Sequence, residues 1–115
     1  MNNHKLLDFY FKELKKNSNL IKEIHSLTKD QFSKNENMIA FSVSLLKLSD
    51  DIYSNMDQEL FALNPDLFNL FVPIHEYSHK CLNKFGLLNT YKLHDFICVD
   101  LINIKNFLSN ILGEK

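Results

Sequence analysis

The sequence predicts an all-α protein, an antiparallel bundle of four main helices with one or two short ones. Only two glycines and two prolines occur in 115 residues, and β folds need more turn-forming residues than that. Valine and threonine are scarce while leucine, lysine and isoleucine are abundant, which disfavours strands. Apolar residues also recur at helical spacing along most of the chain. The length fits one domain, residues 1–115.

A first helix is predicted from an apolar pattern close to the N-terminus. Its apolar residues recur every three or four positions between charged ones: Leu6, Leu7, Tyr10, Phe11 and Leu14. The sequence Asn-Ser-Asn at 17–19 interrupts the pattern with residues that favour helix caps. The pattern then resumes from Leu20 to Leu27 and extends to Phe32, so either two helices or one kinked helix fits. Residues 33–37 are polar and predict a connection.

The longest predicted helix runs from Met38 to about Leu63. Residues spaced alternately by four and three would form one stripe packed along a neighbouring helix. This stripe contains Met38, Ser42, Leu45, Ser49, Ile52, Met56, Glu59 and Leu63. The two serines would let the neighbour approach closely. Glu59 would need a partner, because an unpaired carboxylate is costly in an apolar environment.

Two prolines divide the next part of the chain. Asn64 is predicted as an N-cap and Pro65 as the first residue of a short apolar helix. That helix should end before Pro73, since proline has no amide hydrogen to donate. A new helix is predicted from Pro73 to Phe85, with Gly86 as its C-terminal stop.

The last predicted helix begins at a cap formed by Asn89 and Thr90 and ends at about Leu112. Its apolar stripe contains Leu93, Ile97, Asp100, Ile104, Phe107 and Ile111. Asp100 lies in the middle of that stripe and therefore needs a partner. It would either fix the register of the helix against its neighbours or bind a cation.

Composition excludes several classes of function. The formal charge is −1 and the chain has no arginine, so nucleic acid is not an expected partner. No run of about 18 apolar residues is present, so no membrane partner is expected. Cys81 and Cys98 lack the spacing of zinc or redox motifs, and the N-terminus lacks a signal-peptide pattern. These features predict reduced thiols and a cytoplasmic location.

The sharpest motif places His75 and His79 four residues apart, with Glu76 between them. Histidines at this spacing lie on one helical face and can bind a metal ion together. The pattern His-Glu-x-x-His is also that of zinc proteases, which makes a minimal zinc hydrolase one hypothesis, with Glu76 activating the water. A third ligand would have to come from residues further along the chain: His94, Asp95 or Asp100.

The same stretch resembles a helix of a known metalloprotein family. Val72-Pro73 followed by His75, His79 and Lys80 is similar to the third helix of the hemerythrin family, whose bundle holds an oxygen-binding di-iron site. The resemblance implies an iron or zinc site formed by His75, His79, Glu59 and His25. Asn55 and Ile111 stand where the family has further histidine ligands. The resemblance therefore implies an incomplete di-iron site, with at most one metal ion.

Helical geometry favours a simpler interpretation of the histidines. At ~100° per residue, His75 and His79 lie to the side of the apolar stripe that Ile74 and Tyr77 begin. Histidines on a flank more often make surface hydrogen bonds than hold a buried metal. The leading expectation is therefore that no cofactor is bound, with iron or zinc as the alternative.

Aromatic residues are numerous, with ten phenylalanines and four tyrosines. Phe61, Phe68 and Phe71 lie near the edges of their stripes or before Pro73, where they would form an interface with another protein or a second copy. Alternatively, a short helix there covers the end of the core. The leading hypothesis is a small non-catalytic protein of the inhibitor, immunity, adaptor or regulator type, which acts by binding a protein partner or itself. A metal-binding bundle and a zinc hydrolase are the alternatives.

Overall fold

A computed structural model describes residues 3–82 and 89–113, and these residues are almost entirely helical. The helices are α1 (Asn3–Lys16), α2 (Ser18–Ser26), α3 (Lys29–Ser33), α4 (Glu36–Asn55), α5 (Gln58–Leu63), α6 (Pro65–Leu82), α7 (Thr90–Asp95) and α8 (Leu101–Ile111). A π-helical turn, Phe96–Asp100, joins α7 to α8. The described residues contain no strand, which confirms the all-α prediction. Within these ranges, no helix has the length and hydrophobicity needed to cross a bilayer.

Polar residues end and restart the helices in the first third of the chain. Asn17 separates α1 from α2, so the first stretch forms two helices. The Thr28 hydroxyl accepts a hydrogen bond from the amide of Gln31, whose side chain in turn accepts from the amide of Thr28. This reciprocal capping box starts α3. Asn35 caps α4 by accepting from the amide of Met38.

The prediction of one helix from Met38 to Leu63 is wrong, because α4 ends at Asn55. The backbone of Met56 is extended, and Asp57 caps the short helix α5 by accepting a hydrogen bond from the amide of Glu59. Up to Met56 the predicted stripe is correct, since its members from Ser42 to Met56 are buried. Beyond the break Glu59 is exposed and Leu63 is 81% exposed. The carboxylate of Glu59 therefore lies in solvent.

The prediction that Pro73 separates two helices is also wrong. Helix α6 begins at Pro65, as expected, and continues through Pro73 to Leu82. Pro73 removes one backbone hydrogen bond, but the residues around it bury a continuous face of the helix: Leu67, Phe71, Ile74, Tyr77 and Ser78. Burial of that face stabilises the helix across the proline. The predicted end at Phe85 and Gly86 lies outside the described residues.

The last helix is capped by Asn89, as predicted, since its side chain accepts a hydrogen bond from the amide of Lys92. The π turn, Phe96–Asp100, then leads into α8. Leu101, four residues after Ile97, is buried in place of the predicted Asp100. Asp100 is only half-buried and Ile111 is 41% exposed, so the predicted stripe is wrong at these two positions, whereas its member Ile104 is fully buried.

Most of the core residues come from helices α1, α4, α6 and α8. Helix α1 packs against α4 and α8, and α6 packs against the same two helices. The fully buried side chains come from all of these segments: Tyr10, Leu14, Leu46, Leu67, Phe71, Ile74, Ile97 and Leu101, with Ile24 and Phe32 from α2 and α3. Buried His94 joins α7 to this core, since its Nε2 lies 3.0 Å from the carbonyl oxygen of Leu27.

Candidate metal site on helices α4 and α6

The predicted histidine pair lies on the flank of α6, as the helical spacing indicates. His75 is half-buried and His79 is exposed. Their rings meet edge to face with centroids 4.3 Å apart. Because they occupy successive turns of one helix, both imidazoles point toward the same neighbour, α4.

Asp50 of α4 faces the two histidines. Its Oδ1 atom lies 2.6 Å from Nδ1 of His75, the distance of a strong charge-assisted hydrogen bond. Its Oδ2 atom accepts a longer hydrogen bond, 3.4 Å, from the hydroxyl of Ser78. The carboxylate of Asp50 thus holds the imidazole of His75 in one orientation.

Together these residues form the candidate metal site: Asp50, His75 and His79. One potential ligand atom from each lies within 4.8 Å of the other two. Two imidazole nitrogens and one carboxylate oxygen are a donor set that zinc and iron(II) accept. Since His79 is exposed, solvent can reach the site and supply further ligands.

The position of the site follows from how α4 packs against α6. Ser49 of α4 and Ile74 of α6 are both buried, and the two helices pack against each other. Asp50 and His75 each follow one of these buried residues, so both side chains lie at the margin of the same helix pair.

Tyr53 connects the candidate metal site to an aromatic cluster. Its ring stacks on His75 with a centroid separation of 4.7 Å and an interplanar angle of 8°. The same ring lies 5.4 Å from Phe61 and 6.1 Å from Phe71. The orientation of His75 is therefore fixed on one side by a carboxylate and on its face by an aromatic ring.

A cavity of about 700 Å³ opens beside this cluster, and we term it the aromatic pocket. Its larger lining residues are Tyr53, Met56, Phe61, Pro65, Phe68 and His75. Ser54, Gln58 and Ala62 complete the lining, so the described residues around the pocket include no carboxylate and no lysine. The imidazole of His75 thus belongs both to the candidate metal site and to the wall of an uncharged cavity.

The structure does not bring Glu59 or His25 to the histidine pair. Among the described residues, neither belongs to the group whose potential ligand atoms lie close together. Glu59 is exposed on α5, beyond the break at Met56, and His25 is exposed near the end of α2. Of the four predicted ligands, His75 and His79 lie together. The carboxylate that faces them belongs to Asp50, which was not among the predicted ligands.

Glu76, the predicted water-activating residue, faces a different part of the molecule. It lines a cavity of about 410 Å³ together with Asp95 and Asp100. Burial, reinforced by the nearby charge of Asp95, raises the pKa of Asp100, while Lys92 acts in the opposite direction. This cavity holds three carboxylates but neither His75 nor His79, so the geometry does not support the hydrolase hypothesis.

The three predicted interface residues differ in exposure. Phe71 is fully buried and packs against Tyr10, with centroids 5.9 Å apart, so it cannot contact a partner. Phe68 is 38% exposed and Phe61 is half-buried, and both line the aromatic pocket. The predicted interface is therefore reduced to two rings.

Sequence reasoning missed Asp50 and Tyr53. A usable signal was present, because Asp50 and Tyr53 lie one helical turn apart and each follows a buried residue of the α4 stripe, Ser49 or Ile52. Comparisons with protein-family models, curated proteins and solved structures gave no match.

Proposed function

We propose that this protein binds a single divalent transition-metal ion, zinc or iron(II), through Asp50, His75 and His79. The observation that carries the proposal is the convergence of their potential ligand atoms within 4.8 Å of one another. The hemerythrin resemblance contributes two of these ligands, and Asp50 takes the role that the resemblance gave to Glu59.

Preorganisation supports the proposal. The hydrogen bond from His75 to Asp50 and the stacking of Tyr53 hold one imidazole in a fixed orientation. An ion bound by both residues would take the place of the hydrogen that Nδ1 of His75 and Oδ1 of Asp50 share, so these two ligand atoms already face one point. Three protein ligands also leave at least one coordination position for water or another molecule.

The arrangement of the long helices supports a bundle as the scaffold. Each of the segments α1, α4, α6 and α8 packs against two of the others, which closes a ring. Contacts between Asp50 and Ser78 and between Tyr53 and Phe71 indicate that α4 and α6 run in opposite directions. We therefore propose the antiparallel four-helix arrangement, with the ion joining α4 to α6 on its flank.

Metal analysis tests the proposal. Protein purified without a histidine tag is loaded with zinc or with iron(II) under anaerobic conditions, desalted and analysed by mass spectrometry. The wild type should retain about one equivalent, and His75→Ala and Asp50→Asn should each retain less than about a tenth. Circular dichroism of each variant verifies that its helices remain folded.

His25→Ala is the matched control, because it removes an exposed histidine outside the site. It should retain as much metal as the wild type. The proposal is wrong if the wild type retains less than about a tenth of an equivalent. It is equally wrong if the His75 and Asp50 variants retain as much metal as the His25 variant.

Protein binding is the second candidate function, and the exposure of Leu63 favours it. This large apolar side chain is 81% exposed at the end of α5, and Phe68 on α6 is 38% exposed. These residues are near each other in the chain, and a contiguous patch of exposed apolar residues marks a contact surface. Light scattering over a range of protein concentrations tests self-association at this surface.

A further inference from the structure

The aromatic pocket and the candidate metal site share a wall. The His75 ring lines the pocket, and the Tyr53 ring that stacks on it lines the same pocket. A molecule that fills the pocket would therefore contact the ring of a metal ligand. His75 is the one proposed ligand that the described lining includes, since Asp50 and His79 do not line the pocket, so a donor group would reach the ion past the edge of this ring.

The residues that line the pocket favour a ligand with an apolar body. Aromatic and apolar side chains dominate, namely those of Tyr53, Met56, Phe61 and Phe68. A volume of about 700 Å³ lies within the range of small-molecule sites. Aromatic rings prefer offset or edge-to-face contacts with other rings, so an aromatic or branched apolar body fits this lining best.

The charge of the proposed site favours an anionic head group on the ligand. A divalent ion bound by one carboxylate and two neutral imidazoles keeps one uncompensated positive charge. The described lining of the pocket has no carboxylate that would repel an anion and no lysine that would compete for it. An anionic oxygen donor is therefore favoured at the open coordination position, and carboxylates bind both zinc and iron(II).

We propose that the aromatic pocket binds the apolar body of a small carboxylate whose head group coordinates the metal ion held by Asp50, His75 and His79. This inference rests on the proposed metal binding and names the class of ligand for the same site. The carboxylate of such a ligand completes the coordination sphere, while its apolar body displaces water from the rings of Phe61 and Phe68.

Ligand titration tests the inference with phenylbutyrate as the probe. Its affinity is measured by calorimetry for the zinc-loaded and the metal-free protein. Phenylbutanol is the comparison, since it has the same body without the carboxylate. Phenylbutyrate should bind the zinc-loaded protein at least about tenfold more tightly than the metal-free protein, and phenylbutanol should show no such difference.

A pair of tryptophan substitutions on α4 tests the place of binding. Ser54→Trp adds a large side chain at the rim of the pocket from an exposed position, and should weaken binding of phenylbutyrate by about tenfold or more. Ser44→Trp adds the same side chain at another exposed position of α4, outside the pocket lining, and should leave the affinity unchanged. Zinc content is measured for both variants and should equal that of the wild type.

The outcomes separate this inference from the function on which it rests. If the wild type takes up no zinc, both are overturned. If zinc is retained but phenylbutyrate binds the metal-free protein equally well, only the proposed ligand is wrong. The same holds if phenylbutanol shows the same preference for the zinc-loaded protein as phenylbutyrate. Equal weakening by Ser54→Trp and Ser44→Trp would also overturn the inference, because the bound molecule would then lie outside the aromatic pocket.

Discussion

The hydroxyl of Tyr10 is fully buried where α1 meets α4, 2.6 Å from Oγ of Ser49. Ser49 donates its own hydrogen to the carbonyl oxygen of Leu45, so Tyr10 donates to Ser49. Both polar atoms are thereby satisfied inside an apolar core. The pair links two long helices at one defined height.

The two members of this pair should differ in their effect on stability. Tyr10→Phe removes one hydrogen bond and should lower the free energy of unfolding by about 1 kcal/mol. Ser49→Ala leaves the tyrosine hydroxyl buried without an acceptor and should cost about 1–3 kcal/mol. Urea unfolding measures both. Ser44→Ala, at an exposed position of the same helix, should change the value by less than about 0.5 kcal/mol, and a similarly small effect of Ser49→Ala would contradict the role of the pair.

The same pair gives an alkaline pH dependence. Burial raises the pKa of Tyr10. Since the unfolded chain loses this proton at about pH 10 and the folded chain only at higher pH, stability is complete below about pH 10 and falls above it. Between about pH 8 and 11, the wild type should therefore lose stability faster than Tyr10→Phe, as urea unfolding at each pH would show.

At the scale of the helix, Asp100 lies at the end of the π turn and is only half-buried. The predicted stripe would bury Asp100, whereas the structure places Leu101 inward at 1% exposure. The pKa of Asp100 is still raised, mainly by partial burial. The ionised form is therefore less stable in the folded protein than in the unfolded chain.

Asp100→Asn should consequently stabilise the protein at neutral pH. For a carboxyl group with a raised pKa, the favourable contribution is present below the unfolded value of about 3.8 and is lost as pH rises through the folded value. The gain at pH 7 should be below about 1 kcal/mol, because Asp100 is half-exposed to solvent. Urea unfolding should show that the gain disappears at about pH 3.

Asp51→Asn provides the comparison for this substitution, as Asp51 is an exposed carboxylate on α4. It should have little effect at either pH. Stabilisation by Asp100→Asn that is equal at both pH values would show that ionisation of Asp100 is not its cause.

The sequence predicted the helices wherever a local rule was sufficient. Caps at Asn89 and the start of α6 at Pro65 follow from side-chain chemistry within a few residues. The continuity of α6 through Pro73 depends on burial against α4 and α8, which no local pattern contains. The π turn likewise depends on which residue the core accepts, and periodicity alone cannot reveal it.

For the whole molecule, the sequence could predict only those site residues that lie on the same helix. His75 and His79 could be paired from their spacing, but Asp50 comes from another helix, 25 positions earlier in the chain. Its position depends on the relative height of α4 and α6. The family resemblance pointed to Glu59 instead, and the break at Met56 explains why that residue is exposed.

Self-association should depend on the end of α5. If the second candidate function is correct, the wild type should form larger species with rising concentration, because Leu63 is exposed there. Leu63→Asp should then remain monomeric under light scattering, since burial of a charge opposes association. Ile111→Asp, which changes an exposed apolar residue on α8, should associate like the wild type. A wild type that stays monomeric at every concentration would remove this candidate.

The stacked rings of Tyr53 and His75 have an optical consequence. The chain has no tryptophan and four tyrosines, so its near-ultraviolet emission comes from phenol groups alone. Tyr53 lies parallel to an imidazole that the proposed ion would coordinate. A paramagnetic ion bound to His75 would quench the emission of Tyr53, because the two rings are stacked. Tyr53 is therefore an intrinsic spectroscopic probe of the site that needs no added label.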